Sequence, residues 1–231
     1  MNKLSSLVVL IVVSVLTVGL LTSSTTKKKK GWKGVITYSI SYDGEGVTPA
    51  SIANAPKSTR VKVMGDKSAT EILLGPITIT EVQNPEFDLH LQLIEYMDKK
   101  YAVKKKLSEE KDTTEFPYEV TIDLVNETKM ISTYSCNKAV ITLTPNDTSL
   151  QEHVFNCYYS TELGDEETNK GDDIYEKVPG MLLEFSMVQG PIIMSYLATE
   201  VKKGGVSDAD FLVPTDYKVV TEEELEKEFG G

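Results

Sequence analysis

An alternation of apolar and polar residues begins at Gly31 and constrains the fold of this chain most strongly. Within residues 32–42, bulky apolar side chains occupy every second position: Ile36, Tyr38, Ile40 and Tyr42. Successive side chains of a strand point to opposite faces, so this spacing predicts a β strand with one buried face. Similar short runs follow, separated by turn signals such as Gly65-Asp66 and Gly75-Pro76. The pattern predicts a mainly β fold, a single curled antiparallel sheet or half-barrel.

One α helix is predicted downstream of the N-terminal region, at Glu222–Phe229. Thr221 precedes it, and Glu224 follows Thr221 by three residues. A threonine hydroxyl and a glutamate carboxylate at this spacing can each accept a hydrogen bond from the other residue's backbone N–H, which is the capping box. The sheet is therefore expected to end in a short C-terminal helix.

The first 26 residues predict an export segment. Lys3 precedes an uninterrupted small and apolar run over residues 7–21, and small hydroxyl residues follow at 22–26. This order is typical of a secretory signal peptide. The run is shorter than the ~20 residues of a spanning helix, which favours a cleaved signal, whereas the four lysines at 27–30 favour an uncleaved membrane anchor. We expect residues 1–26 to be a signal peptide or N-terminal membrane anchor and residues 27–231 to be a single β-rich domain.

This export segment predicts a periplasmic or cell-surface protein, with a membrane-anchored form through residues 7–21 as the alternative. The formal net charge is -11. An acidic body repels phosphate backbones, so nucleic acid is not expected as a partner. The main basic cluster has acidic residues close by in sequence and consists of Lys99, Lys100, Lys104, Lys105 and Lys106.

The two cysteines, Cys136 and Cys157, predict a structural disulfide. If residues 138–144 and 149–155 pair across a four-residue loop at 145–148, the same register sets Cys136 opposite Cys157. Opposed residues of antiparallel strands have Cα atoms ~4.5–5.5 Å apart, within reach of a disulfide. An exported chain meets an oxidising compartment, where such a pair forms a bridge. The alternative is two buried free thiols.

An acidic stretch over residues 162–176 contains a partial calcium-loop pattern. Candidate ligands fall at positions 1, 3, 5 and 12 of that pattern: Asp165, Glu167, Asn169 and Glu176. Lys170 stands where the loop needs glycine for its sharp turn, so the pattern equally describes a solvated acidic loop. No other metal site is predicted.

The sequence carries no catalytic signature. His90 and His153 are isolated on predicted strands, and there is no nucleophile elbow, phosphate-binding loop, dinucleotide glycine run or zinc spacing. The prediction is therefore a protein that is not an enzyme and takes no cofactor. A hydrolase is the remaining enzymatic alternative, and it requires a cleft that gathers His90 or His153 with a carboxylate and a nucleophile.

Three stretches resemble a known family. Residues 129–139 resemble the K-x-I-x-G-Y-x-C-x-K-A signature of an uncharacterised exported domain family of Bacteroidota, and residues 178–184 resemble the G-L-P-G-L-I-L-E stretch of the related GLPGLI proteins. Residues 199–203, 211–214 and 217–218 are similar to their closing segment. The resemblance covers residues 31–229, with Thr133 where glycine is usual and Val178 before Pro179 as departures.

The resemblance implies a curved antiparallel sheet similar to the LolA/LolB-like lipoprotein carriers, with function unassigned. By analogy, such a sheet can hold an acyl chain. Two hypotheses follow. The first is an exported, non-enzymatic binding module that holds a lipid or other hydrophobic ligand in its sheet. The second is an envelope-associated module for protein interaction or structure. An apolar cavity favours the first, and a filled core with an exposed apolar patch favours the second.

Overall fold

The structure, a computed structural model, describes residues 31–109 and 116–229. The predicted signal peptide or anchor at residues 1–26 lies outside this part of the chain. Within it, no helix has the length and apolar character needed to cross a membrane. It contains one α helix, α1 (Glu222–Phe229), and twelve strands: β1 (Lys33–Gly44), β2 (Ser58–Met64), β3 (Lys67–Leu74), β4 (Ile77–Asn84), β5 (Leu89–Tyr96), β6 (Lys99–Lys105), β7 (Tyr118–Ile131), β8 (Tyr134–Pro145), β9 (His153–Ser160), β10 (Met181–Gln189), β11 (Ile192–Lys203) and β12 (Lys218–Val220).

All of these strands belong to one open sheet in the order β12-β6-β5-β4-β3-β2-β1-β11-β10-β9-β8-β7. Strands β1–β6 form one antiparallel meander and β7–β11 form a second, and antiparallel pairing of β1 with β11 joins the two. The short β12 adds to β6 in the parallel direction. The predicted fold class is confirmed: mainly β, one long antiparallel sheet and a short C-terminal helix.

Several hairpins turn at residues that adopt a positive φ. Gly75 and Gly190 have φ of 58° and 57°, and each precedes a proline. A positive φ at the first of two turn residues suits the tight turns that match the twist of antiparallel strands. Met97 makes the β5–β6 turn with φ 55° and no glycine.

The polar residues 126–128 resemble a turn signal, and the sequence alone predicts that the chain reverses there; that prediction is wrong. Strand β7 continues through these residues, and its register with β8 shifts between Val125 and Thr128. The chain reverses later, where Ser132 adopts φ 54°. The polar residues that resembled a turn signal form a β-bulge, which also inserts extra residues between two paired stretches.

The sheet has two faces, and the one that carries Tyr38 is termed the inner face. Strand registers align its side chains in rows across β1–β6. The first row is Tyr38, Thr59, Ile72, Ile79, Ile94 and Tyr101. The second row is Ile36, Val61, Thr70, Glu81, Gln92 and Val103. The third row is Gly34, Val63, Ser68, Gln83, His90 and Lys105. The inner face is therefore apolar at β1 and polar in the middle of β4 and β5.

The connection between β9 and β10, residues 161–180, packs against the inner face and is termed the covering segment. Its buried residues join the largest core cluster of the described chain: Leu163, Ile174, Tyr175 and Val178. The solvated-loop alternative for residues 162–176 is wrong for Leu163, Ile174 and Tyr175, which complete the core. Most of the acids between them face outward, whereas Asp172 is partly buried.

Residues 204–217 form a strap over the outer face of β1–β6. Phe211 is fully buried there in a cluster with Val35, Val82 and Leu91. Ion pairs fix the strap, with Lys62 Nζ 2.6 Å from Asp210 and Lys67 Nζ 2.8 Å from Asp208.

Helix α1 covers the other end of the inner face, where Leu225 lies in a cluster with Tyr101 and Val103. Its predicted capping box is confirmed. The Glu224 N–H donates to the Thr221 hydroxyl at 3.2 Å, and the Thr221 N–H donates to the Glu224 carboxylate at 3.0 Å.

Candidate functional site

An apolar recess lies on the inner face where the two meanders meet. It has a volume of about 30 Å³. Strands β1–β3 line one side, and β10, β11 and the covering segment line the other. The lining residues are Tyr38, Thr59, Val61, Thr70, Ile72, Asn169, Met181, Leu182, Phe185 and Tyr196. The polar side-chain atoms of this lining belong to Thr59, Thr70 and Asn169 and to the hydroxyls of Tyr38 and Tyr196.

Three aromatic rings form the floor of the recess. The Phe185 ring stacks on Tyr196 at 4.8 Å between centroids and meets Tyr38 edge-on at 5.6 Å. The Tyr38 hydroxyl donates to the Leu182 carbonyl at 2.8 Å, which satisfies its polar atom inside the core. Burial raises the pKa of Tyr38 and raises that of Tyr196 to about 12. Both phenols are therefore neutral at physiological pH, and the floor is uncharged.

Two buried side chains hold the covering segment in place: Asn169 bonds within the segment, and Tyr175 anchors it to β10. Asn169 is buried and donates from Nδ2 to the carbonyls of Val178 and Gly180 at 2.7 and 2.8 Å. The Tyr175 hydroxyl donates to the Ser186 carbonyl at 2.5 Å and accepts from the Ser186 N–H at 3.0 Å. A segment held by a few specific hydrogen bonds can be released by breaking them.

A polar cluster continues from the recess along the second and third rows. Glu81 accepts from Gln92 Nε2 at 2.8 Å and contacts His90 Nε2 at 2.8 Å, and these bonds use both carboxylate oxygens. Gln83 is also buried, and its Oε1 has no hydrogen-bond partner. Because Thr70 lines the recess and pairs with Glu81 across β3 and β4, the polar cluster borders the apolar recess directly.

The two histidines lie apart. His90 contacts the Glu81 carboxylate, which is the first pairing that a hydrolase requires. His153 packs edge-on against Tyr118 at 5.8 Å, far along the sheet on β9. The Glu81–His90 pair was not predicted. His90 lies between two leucines and Glu81 precedes a valine, so alternation could have indicated that each side chain points away from these apolar neighbours. The contact itself depends on the register of β4 with β5.

The register on which the predicted disulfide depended is wrong. Ala139, not Cys136, lies opposite Cys157, because residues 146–152 connect β8 and β9 where a four-residue loop was expected. The displacement is three residues, which puts the two cysteines about 10 Å apart along the strand direction. A disulfide requires Cα atoms within about 7 Å.

Both cysteines are free and buried in the structure. Burial raises the pKa of Cys136 to about 11 and also raises the pKa of Cys157. Thiols with a raised pKa and no access to solvent are inert packing residues. The disulfide predicted from sequence therefore has no geometric support.

The candidate calcium ligands make hydrogen bonds within the covering segment. Asn169 directs its amide inward, the Asp165 carboxylate accepts from the Glu167 N–H at 3.1 Å, and Glu176 accepts from the Gly171 N–H at 3.4 Å. Glu167 also pairs with Lys170. Within the described residues, no group of three or more His, Cys, Asp or Glu side chains is arranged to hold a metal ion.

The lysine cluster is largely neutralised by carboxylates. Lys99, Lys100 and Lys105 form ion pairs with Glu228, Asp216 and Glu222, and Lys106 pairs with Glu109. A surface concavity of about 480 Å³ lies beside Lys104–Lys106 and Phe87. It is wide open and lined by charged side chains, so it does not enclose an apolar ligand.

No protein-family model and no curated protein matches this sequence. Among solved structures, a LolA superfamily protein from Nitrosomonas europaea is similar, with 10% sequence identity and a TM-score of 0.23 over 78% of this chain and 90% of that chain. At this identity and TM-score the similarity supports no conclusion about function. The resemblance to GLPGLI-related proteins of Bacteroidota stays a prediction.

Proposed function

We propose that this protein is a non-enzymatic binding module that holds a lipid or other hydrophobic ligand between the inner face of its sheet and the covering segment. The observation that carries this proposal is the recess floored by Tyr38, Phe185 and Tyr196 at the junction of the two meanders. An apolar, aromatic-lined recess with a few polar groups at its margin is the usual form of a small-molecule site.

The recess must widen to accept such a ligand. Its 30 Å³ is about the volume of one water, whereas ligand pockets measure ~300–1,000 Å³. A twelve-carbon chain gains roughly 9 kcal/mol on burial, at about 0.8 kcal/mol per methylene. A local opening that breaks the two Tyr175 hydrogen bonds leaves the N–H and carbonyl of Ser186 unsatisfied, at ~1–3 kcal/mol each. Displacing the whole segment would in addition expose Leu163, Ile174 and Val178, at ~1.5–3 kcal/mol each. Ligand burial therefore offsets a local opening at Tyr175 but not displacement of the whole segment.

Native mass spectrometry of the full-length protein tests this function. We expect a near-stoichiometric adduct after incubation with dodecanol or another twelve-carbon amphiphile, released by denaturation. Thr70→Leu, which fills the recess, should reduce the adduct, and Thr142→Leu on β8 is the matched control outside the recess. A protein that stays free of every alkyl ligand tested would contradict the proposal.

We also propose that the protein is exported to the periplasm or cell surface, which the features of residues 1–26 support. Cell fractionation with intact-mass measurement of the recovered protein tests this. Recovery in the cytoplasm at full mass would contradict export, and the recovered mass separates a cleaved signal from a retained anchor.

An envelope-associated interaction module is the second candidate, and the edges of the sheet favour it. Strand β7 ends the sheet with no strand paired beyond it in the described chain, and Leu124 and Met130 on it are 57% and 63% exposed. The opposite edge is formed by β12, which has three residues and therefore offers few unpaired backbone groups to a partner strand. Long exposed edges can add a strand from a partner. A photo-crosslinker at Thr121 should then give one discrete adduct that the same group at Glu200 does not.

A further inference from the structure

The polar cluster beside the recess has one unsatisfied member. Gln83 is 5% exposed, and its Oε1 is buried without a hydrogen-bond partner. Buried amide oxygens are nearly always paired, because an unpaired one forfeits its hydrogen bonds to water. On the inner face, Gln83 pairs with Ser68, two residues along β3 and β4 from the Thr70–Glu81 pair, so Gln83 and Thr70 are diagonal neighbours. Diagonal neighbours of this kind lie ~7–8 Å apart, so the amide is within reach of a group held at the margin of the recess.

The carboxylate of this polar cluster is already engaged. Both oxygens of Glu81 contact neighbours, His90 and Gln92, and Glu81 itself is 5% exposed. A cation placed here would compete with His90 and Gln92 for the Glu81 oxygens, and an anion would lie beside a buried carboxylate. Each would lose its hydration without a counter-ion that is free to pair with it. An uncharged group loses far less and can pair with the Gln83 amide.

The geometry points to a ligand with two ends, and we infer that its polar end is an uncharged hydrogen-bond donor, a hydroxyl or an amide N–H, that donates to Gln83 Oε1. The apolar end lies in the aromatic recess. This inference rests on the proposed function and specifies the class of ligand. Fatty acids and alkylamines are excluded as preferred ligands, while fatty alcohols and neutral acylglycerols with a free hydroxyl fit.

A competition experiment tests the inference on the full-length protein. Equal amounts of dodecanol, dodecanoate and dodecylammonium are offered together, and native mass spectrometry reads the relative occupancy. We expect dodecanol to exceed each charged competitor about tenfold, the effect of one satisfied buried hydrogen bond. Gln83→Leu should remove this preference and retain alkyl binding. Gln151→Leu, an exposed glutamine between β8 and β9, is the matched control and should keep the preference.

The outcomes separate this inference from the function on which it rests. Equal binding of all three ligands, or a preference for a charged one, overturns the assignment of the polar end and leaves hydrophobic binding intact. Absence of all three adducts overturns the proposed function itself. A preference that survives Gln83→Leu overturns the role of Gln83. The wild-type ranking does not depend on whether the variant folds.

Discussion

Tyr175→Phe should weaken the fold and strengthen ligand binding at the same time. Strand β9 pairs with β10 only as far as Glu184, and the Tyr175 hydroxyl satisfies both main-chain groups of Ser186 beyond that point. Removing the hydroxyl leaves a buried N–H and carbonyl without partners while the ring contacts remain. At ~1–3 kcal/mol for each of these two groups, we expect the free energy of unfolding to fall by at least about 2 kcal/mol.

The same change lowers the cost of displacing the covering segment. If the covering segment must move for a ligand to bind, part of the binding free energy is spent on opening it. A variant that opens more easily spends less and therefore binds the ligand more tightly. A reduction of ~2 kcal/mol corresponds to an increase of up to about 30-fold in apparent affinity. Urea unfolding followed by circular dichroism gives the stability, and titration with a fluorescent alkyl probe gives the affinity.

Tyr42→Phe is the matched control for this experiment. The Tyr42 hydroxyl donates to the Pro56 carbonyl at 2.7 Å, on a loop outside the recess. Its loss should lower stability by about 1 kcal/mol and leave affinity unchanged. Suppose instead that Tyr175→Phe lowers stability while the affinity for the alkyl probe falls or stays constant. Opening of the covering segment would then not be required for ligand binding.

Three further predictions concern the strap, the thiols and the covering segment. Phe211→Ala should lower the free energy of unfolding by ~3–5 kcal/mol in a denaturant titration, and a loss below about 1 kcal/mol would mean that the strap is not part of the core. A thiol reagent at pH 8 should leave Cys136 and Cys157 unmodified in the native protein and label both after unfolding without reductant, whereas a disulfide would block both in either state. Burial raises the pKa of Asp172 above its value in the unfolded chain, so the ionised carboxylate destabilises the fold at neutral pH. This destabilisation disappears once the pH falls below the pKa of the unfolded chain, because Asp172 is then protonated in both states. Asp172→Asn should therefore raise the melting temperature at pH 7 and have no such effect near pH 3, and an equal shift at both would exclude this cause.

Local patterns were sufficient to predict the fold class. The alternation in β1 reports which residues share a face, and the capping box at Thr221 reports where α1 begins. The alternation and the capping box both depend on residues close together in the chain, so a single sequence is sufficient to predict them. The strand register of β8 and β9 is different, because it depends on the length of a loop whose boundaries carry no such signal.

The candidate site was not predicted, because its residues are far apart in the chain. Tyr38 and Phe185 meet only because β11 pairs with β1 and brings the second meander beside the first. The covering segment was misread for a related reason. Its acids dominate the composition, and the burial of Ile174 and Tyr175 between them depends on a surface supplied by distant strands.

Photoaffinity labelling tests whether a hydrophobic ligand binds on the inner face of the sheet. A twelve-carbon alcohol with a diazirine in its chain is irradiated with the full-length protein, and the labelled peptides are mapped by mass spectrometry. We expect adducts in the recess, at Met181, Phe185 or Tyr196, and we expect unlabelled dodecanol to reduce them. Labelling confined to exposed apolar residues such as Leu124, or labelling that dodecanol does not reduce, would contradict a ligand site on the inner face.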